Sequence, residues 1–390
     1  MTLDFGVVRH YRAAPPAVLS IGGQTMGTHW QLRVAGVAAE RLPGLQASVE
    51  SLFACIIAQM SQWRPDSWLS RYNDSGAGSW HPLPPDAERV LSTALELARE
   101  TGGAFDPALG AVVELWGFGA AERRHEPPEA EAIASARACS GWRRLRIDRP
   151  GASADRLLAG QQCDPDTRFA LPAARLFQPG GLRLDLSGIA KGHAVDRMAD
   201  LLQAAGIADC LAEIGGEWTA RGRRPDGSPW RIGIEGLLVD VNGRHPGVPL
   251  LDASIATSGD DWHGFAHGGR RYGHTIDPRS GWPASERLAS VSVVDHSCMR
   301  ADALATALSV MGPERGLEFA EQRGVAALFL CRDAEGGGHR ARRVVMSTVF
   351  ERLLAGHRLP ASSQMSDGKE PNHGKDSTDG CRSSGNGPGR

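Results

Sequence analysis

A threonine follows an aspartate by four positions in the segment Arg300 to Leu308, and this spacing constrains the chain more than any other feature. Alanine and leucine dominate the segment, which predicts a helix with a carboxylate near its start. Residues i and i+4 share a helical face, so oxygens of Asp302 and Thr306 can converge on one point. Mg²⁺ takes few carboxylates from a protein and completes its shell with phosphate and water. Taken alone, however, the pattern fits better an ordinary helix whose threonine bonds its own backbone.

Other polar and glycine-rich segments accompany this helix in a definite order. They are Met26-Gly27-Thr28, Met60-Ser61-Gln62-Trp63, Asp66 to Asn73, Gly103 to Gly110, Leu115 to Gly119, Asp185 to Asp196 and His274 to Gly281. In this order the set resembles the ApbE family, the FAD:protein FMN transferases, from about Gly22 to about Leu330. The resemblance implies two intertwined α/β lobes with the active site between them.

The domain organisation follows from length and from the composition of the C-terminal end. A chain of 390 residues exceeds the usual single-domain size. From Ser362 onward almost nothing is apolar, so that segment cannot bury enough surface to offset its ordering entropy. The mixture of strand pairs and helices along the sequence indicates a mixed α/β (α+β) fold. We place an N-terminal extension at 1–20, an ApbE-like flavin transferase domain at 21–358 and a disordered tail at 359–390.

Hydrophobic periodicity predicts individual helices and strands. The predicted helices are Leu45 to Met60, Pro85 to Glu100, Ala130 to Ala138, Ile189 to Ala205, a helix containing Asp302, and Glu314 to Arg323. The predicted strands are Gln31 to Val34, a pair around Leu145 and Leu184, Cys210 to Ile214, Trp230 to Glu235, Ser254 to Thr257, Leu288 to Val294 and Val325 to Cys331.

Charge and cysteine usage narrow the class of protein. The 43 Lys and Arg nearly balance the 45 Asp and Glu, which argues against a nucleic-acid partner. No apolar run approaches the roughly 18 residues of a membrane-spanning helix. The 7 cysteines are scattered without a CxxC pair, which favours reduced thiols. With no apolar N-terminal core and no cysteine before Cys55, we expect a cytoplasmic protein, or a periplasmic one if the true start lies upstream.

The Asp185 to Asp196 block suits a bound diphosphate. Its glycines, Gly188 and Gly192, flank a predicted helix start, where free amides bind anions and carbonyls remain open to a metal. Lys191 adds a positive charge, although a solvated helix lysine is the plainer interpretation. The resemblance implies that Asp185 and Lys191 bind FAD. It also implies that the Gly188 carbonyl, Asp302, Ala305 and Thr306 hold Mg²⁺.

The resemblance implies that further residues contact FAD, with Ala104, Phe105 and Asp106 against its adenosine part. They are Met26, Trp63, Ala104, Phe105, Asp106 and Ile276. Trp63 can stack on a flavin or adenine ring, but a core tryptophan is equally compatible with its position. Asp106 before proline can instead form a turn. We interpret His193 as a packing residue and expect Trp262, His263 and His267 to border the entrance for an acceptor protein.

The resemblance implies magnesium-dependent transfer of FMN from FAD to a threonine or serine hydroxyl of an acceptor flavoprotein, with release of AMP. That hydroxyl needs a base, and Asp302 and His274 are both candidates. Two alternatives are an FAD hydrolase that yields FMN and AMP, and a non-catalytic FAD-binding module. The second alternative does not explain why a metal site would stand at the diphosphate.

Overall fold

The computed structural model describes residues 17–149, 174–234, 247–259, 264–284, 286–332 and 342–360. Its centre is an antiparallel eight-stranded sheet, whose strands are given next in their spatial order. These strands are β1 (Val18–Thr25), β2 (Thr28–Ala35), β6 (Cys210–Ile214), β7 (Glu217–Arg221), β10 (Ala253–Gly259), β15 (Leu288–Asp295), β16 (Ala326–Arg332) and β17 (Arg342–Met346).

The remaining described strands form small sheets beside the central one. They are β3 (Ser79–Pro82), β4 (Ile147–Asp148), β5 (Arg175–Gln178), β8 (Trp230–Ile232), β9 (Val248–Leu250), β11 (Gly264–His267), β12 (Arg270–Gly273), β13 (Ile276–Asp277) and β14 (Trp282–Pro283). The helices are α1 (Leu42–Met60), α2 (Trp68–Asn73), α3 (Pro85–Glu100), α4 (Gly110–Leu115), α5 (Ala130–Cys139), α6 (Ala190–Ala204), α7 (Cys298–Arg323) and α8 (Thr348–Leu354), with 3-10 turns at Ala39–Arg41 and Trp142–Arg144.

Both faces of the central sheet are covered, because successive side chains along its strands enter different cores. In β16, Ala327 and Phe329 belong to the larger core with α1, α3, α6 and α7. The alternate residues Ala326 and Leu328 belong to a second core with α8, β8 and β9. A third, aromatic cluster surrounds Trp116 and joins α4 and α5 to the β11–β14 hairpins. The mixed helix and strand fold is thus confirmed.

Most predicted elements are confirmed, with shifts of a few residues at their ends. The helix Pro85–Glu100 has the predicted bounds. The helix that contains Asp302 continues to Arg323, but Gly312 has non-helical dihedral angles (φ 79°, ψ 175°), so two helical segments meet there as expected. The strand pair around Leu145 and Leu184 is wrong: β4 pairs with β5, and Leu184 lies outside any strand. Leu184 instead accepts and donates hydrogen bonds with the Asn73 side chain.

Other predictions fall outside the described residues, including most of the N-terminal extension and of the C-terminal tail. Among described residues up to Leu359 the chain forms one compact unit. None of the helices in the described ranges is long and apolar enough to cross a membrane.

The strand register brings several loops to one end of the central sheet. The β1–β2 turn at Met26-Gly27 and the β6–β7 turn at Gly215-Gly216 are neighbours, since Gly215 N donates to His29 O at 3.0 Å. At the same end, β10 finishes beside the start of β15, where Gly259 pairs with Ser290. This end of the sheet positions the candidate site.

Candidate functional site

The helix that carries Asp302 is anchored to α6 at its first turn. Asp196, in α6, accepts hydrogen bonds from Ser297 Oγ (2.7 Å) and from the backbone amides of Cys298 (2.9 Å) and Met299 (3.0 Å). Ser297 also caps the helix through Arg300 N. The two helices approach so closely that a Cβ on Gly192 would lie 2.8 Å from Met299 Cα.

This close approach places Asp302 in a buried position against the start of α6. The side chain is 4% exposed, and its Oδ2 accepts a 3.0 Å hydrogen bond from Gly192 N. Burial raises the pKa of Asp302, while the positive charge of Lys191 and the Gly192 amide act in the opposite direction. The described hydrogen bonds leave Oδ1 as an available oxygen.

One turn further along α7, Thr306 packs against the loop before α6. A Cβ on Gly188 would lie 2.8 Å from Thr306 Oγ1, so the glycine permits this contact between hydroxyl and backbone. Thr306 Oγ1 also lies 3.2 Å from Ser258 Oγ, at the end of β10. Ala305 is fully buried, so its side chain only packs. The structure therefore places the Thr306 hydroxyl beside Gly188, and a metal site there stays a prediction.

The Lys191 side chain leads to a residue that the sequence did not single out. Its Nζ donates to Glu217 Oε1 at 2.6 Å, and Glu217 is 1% exposed. Burial raises the pKa of Glu217 to about 8, against the attraction of Lys191 and with added repulsion from Asp302. Burial favours the neutral form of Lys191, but Glu217 and Asp302 together outweigh it and raise the pKa of the ammonium. Glu217 directly follows the Gly215-Gly216 turn, and this position is the sequence feature that could have indicated it as a site residue.

The chemistry of this cluster fits a divalent cation. When both are ionised, the buried carboxylates of Asp302 and Glu217 carry more negative charge than the single Lys191 ammonium can balance. An added cation would compensate the excess negative charge. The oxygens of Asp302, Thr306 and the Gly188 backbone are hard donors of the kind that Mg²⁺ prefers. Within the described ranges no three His, Cys, Asp or Glu side chains form a metal-binding group. A cation here would therefore need ligands from water or a bound phosphate.

Met26 and Trp63 have different surroundings. Met26 lies in the β1–β2 turn with a positive φ of 50°, followed by Gly27 at 74°, and is partly buried against the main core. Trp63 follows α1 and is 66% exposed, so the core-tryptophan interpretation is wrong. An exposed indole is available to stack on a ligand ring. No described contact joins Trp63 to Asp302.

The Ala104-Phe105-Asp106 segment is built into the protein interior. Ala104 and Phe105 are buried, and Phe105 Cε2 would lie 3.5 Å from a Cβ on Gly188. Asp106 accepts backbone hydrogen bonds from Ala108 (2.9 Å) and Trp142 (3.1 Å), which confirms the turn interpretation. Burial raises the pKa of Asp106 from 3.8 to about 6.

Asp185 also forms a local turn. Its Oδ1 accepts from the amide (2.8 Å) and hydroxyl (2.6 Å) of Ser187. The loop that follows leads to Gly188. The carboxylate therefore shapes the start of the predicted diphosphate loop, and a contact with FAD stays a prediction.

His274 and Ile276 lie in a segment that borders the end of β10. His274 is half-buried between β12 and β13, as predicted, and its neighbours Gly273 and Thr275 line a cavity together with Ser258 and Ser309. Ile276 is 5% exposed and packs in the Trp116 cluster, so its side chain contributes to the core beside this cavity.

Two other histidine predictions can be compared with the structure. His193 is buried and its Nε2 lies 3.0 Å from Asp86 Oδ1, which agrees with a packing role in a polar network. His267 is exposed at the end of β11 and borders a cavity with the loop Arg124-His125-Glu126. Trp262 and His263 lie outside the described residues.

Comparison with known proteins identifies the family. The profile of the ApbE family matches residues 26–329. The chain is 37% identical over 325 residues to the FAD:protein FMN transferase of Vibrio cholerae serotype O1, covering 83% of this chain and 90% of that protein. It is 30% identical over 318 residues to the FAD:protein FMN transferase of Escherichia coli K12, covering 82% and 85%.

Solved structures agree. The apo form of the flavinyl transferase ApbE from Pseudomonas stutzeri superimposes with a TM-score of 0.74 at 36% identity, covering 88% of this chain and 98% of that one. The flavin transferase ApbE from Vibrio cholerae superimposes with a TM-score of 0.72 at 34% identity, covering 87% and 99%. The chain therefore belongs to the ApbE family.

Proposed function

We propose that this protein is a magnesium-dependent FAD:protein FMN transferase. It would move FMN from FAD to a threonine or serine hydroxyl of an acceptor flavoprotein and release AMP. The observation that carries this proposal is the buried carboxylate of Asp302, bonded to Gly192 at the start of α6, in a chain of the ApbE family. A relative that is 37% identical is named as an FAD:protein FMN transferase.

The chain offers separate groups for the parts of FAD. Lys191 supplies positive charge beside the amides at the start of α6, where the diphosphate would bind. Trp63 offers an exposed indole for stacking on a ring. Met26 borders the same end of the sheet, and Asp185 shapes the loop. Ala104, Phe105, Asp106 and Ile276 would complete the pocket mainly through their packing and backbone.

Mg²⁺ would be held by the Gly188 carbonyl and the side chains of Asp302 and Thr306, with a backbone contact from Ala305. When bound, the ion would neutralise negative charge on the diphosphate and on the leaving AMP. The chain contributes by burying Asp302, which excludes water from the carboxylate and strengthens its interaction with a cation. It also holds Thr306 against the Gly188 loop.

The acceptor hydroxyl must lose a proton during the attack on phosphorus. Asp302 and His274 remain the candidates for the base, and we favour His274. One oxygen of Asp302 accepts from Gly192, and the other is the proposed metal ligand. His274 lies between two residues that border the cavity next to Ser258, itself a neighbour of Thr306.

Incubation with FAD, Mg²⁺ and a purified acceptor domain tests the proposed function, with in-gel flavin fluorescence and AMP release as readouts. We expect fluorescence on the acceptor and none when its acceptor threonine is replaced by alanine. AMP release at the same rate without any acceptor would instead indicate the hydrolase. FAD binding with neither product would indicate a binding module.

We also propose a cytoplasmic location and the domain limits 21–358. The described cysteines at positions 55, 139, 210, 298 and 331 are all unbonded thiols, as is usual in a reducing compartment. Fractionation of cells that express the protein from its native locus tests this location. Recovery mainly in the periplasmic or membrane fraction would overturn it.

A further inference from the structure

Two adjacent residues at the start of α6 are bonded to two different carboxyl groups. The side chain of Lys191 donates to Glu217 at 2.6 Å, whereas the backbone of Gly192 donates to Asp302 at 3.0 Å. Both carboxyl groups attract the Lys191 ammonium electrostatically. Among the described residues, however, the ion pair of Lys191 is with Glu217.

The position of Glu217 explains this choice of partner. It is the first residue of β7, directly after the Gly215-Gly216 turn, and its pairing with Ile214 of β6 fixes its backbone. Its Oε2 is buried without a hydrogen-bond partner among the described residues, so Lys191 is the group that satisfies this carboxyl. A lysine stem is flexible, and Asp302 is the other carboxyl group that attracts its ammonium.

We propose that Glu217 is a positioning residue that holds the Lys191 ammonium away from Asp302 and so keeps the Asp302 carboxylate open to a divalent cation. This inference rests on the metal assignment in the proposed function. It adds a residue of strand β7 to a site otherwise formed by α6 and α7, and it gives the Lys191–Glu217 pair a role in metal binding in addition to stability. An ammonium bonded to Asp302 would compete directly with the cation.

Mn²⁺ affinity, measured by the loss of the free-ion electron paramagnetic resonance signal, tests the proposal without reference to activity. The experiment compares wild type, Glu217→Gln, Lys191→Met and the double variant in one buffer at one pH. We expect Glu217→Gln to weaken Mn²⁺ binding by about tenfold. The double variant should recover most of that loss, because the competing ammonium is gone.

Glu213→Gln is the matched control. Glu213 lies on the same hairpin, and its Oε1 accepts from Gly216 N at 2.8 Å, an acceptor that glutamine retains. We expect this variant to bind Mn²⁺ like wild type. Glu217→Asp, which retracts the carboxylate but keeps its charge, should lie between wild type and Glu217→Gln, and it serves if Glu217→Gln does not fold.

The outcomes separate this inference from the proposed function. Unchanged Mn²⁺ affinity in Glu217→Gln overturns the positioning role. A loss that the Lys191→Met change does not rescue also overturns it, since Glu217 would then act through its own charge or through the fold. Absence of Mn²⁺ binding by wild type would remove the metal assignment itself, and the inference with it.

Discussion

Gly192 donates its backbone amide to Oδ2 of Asp302 across 3.0 Å, and this bond joins the first turn of α6 to the second turn of α7. It fixes one carboxylate oxygen and leaves the other for a ligand. Because Asp302 is buried, we expect substitutions of Asp302 or of Gly192 to disturb the site through this bond.

Removal of the Asp302 carboxylate should abolish metal-dependent transfer. We expect Asp302→Ala and Asp302→Asn to lose about 100-fold or more of FMN transfer, because charge stabilisation by a bound metal is worth several kcal/mol. Asp302→Asn retains an acceptor for Gly192 and should unfold at a temperature close to that of wild type. Full transfer by purified Asp302→Ala in chelator-treated buffer would refute the metal assignment.

Substitution of Thr306 should have a smaller effect. Thr306→Val removes a neutral donor and should raise the Mg²⁺ concentration needed for half-maximal transfer by less than the Asp302 variants do. Thr306→Ser keeps the hydroxyl that faces Ser258 and should remain close to wild type. A Mg²⁺ titration of the transfer rate measures both. Equal Mg²⁺ dependence in Thr306→Val and wild type would exclude Thr306 as a ligand.

Trp63 should matter for flavin binding and little for stability. Because the indole is 66% exposed, Trp63→Ala should leave the unfolding temperature nearly unchanged. Loss of ring stacking should weaken FAD binding by about 1 kcal/mol. Quenching of flavin fluorescence during titration gives the affinity. Trp63→Phe retains a ring and is the control; identical affinities in all three proteins would show that FAD binds elsewhere.

The close approach of α6 and α7 should make Gly192 intolerant of a side chain. Gly192→Ala places a methyl group against the backbone of Cys298 and Met299, so we expect a loss of about 1–3 kcal/mol in the free energy of unfolding. Gly44→Ala is the matched helical control, since no atom lies within 4 Å of its Cβ. That change should be neutral or stabilising. Denaturant titration compares the two, and equal stability would contradict the described packing.

Asp106 should contribute a pH dependence to stability. Its pKa rises from 3.8 to about 6 on folding because the carboxyl is buried. The folded state then holds the proton more tightly than the unfolded state. The stabilising contribution of Asp106 to the free energy of unfolding is fully present below pH 3.8, and it is lost as the pH rises through about 6. Carboxyl carbon shifts followed by NMR measure this pKa directly, and a value at or below 3.8 would contradict it.

Local sequence patterns predicted those parts of the protein that depend on neighbours in the chain. The amphipathic helix Pro85–Glu100 needs only its 3.6-residue period. The Gly188 and Gly192 positions around a helix start, and the four-residue spacing of Asp302 and Thr306, are likewise local. Resemblance to one family then connected these segments to a function.

The tertiary structure decided which distant groups meet. The Lys191–Glu217 pair spans 26 residues and depends on β7 lying beside α6. The Gly192–Asp302 bond spans 110 residues. The sequence alone also did not determine the exposure of Trp63 or the strand that pairs with β4. Periodicity reports which face of an element is buried but not which element covers it. The sequence by itself therefore determined most helices and strands and the family, whereas long-range packing determined the charge pairs of the site.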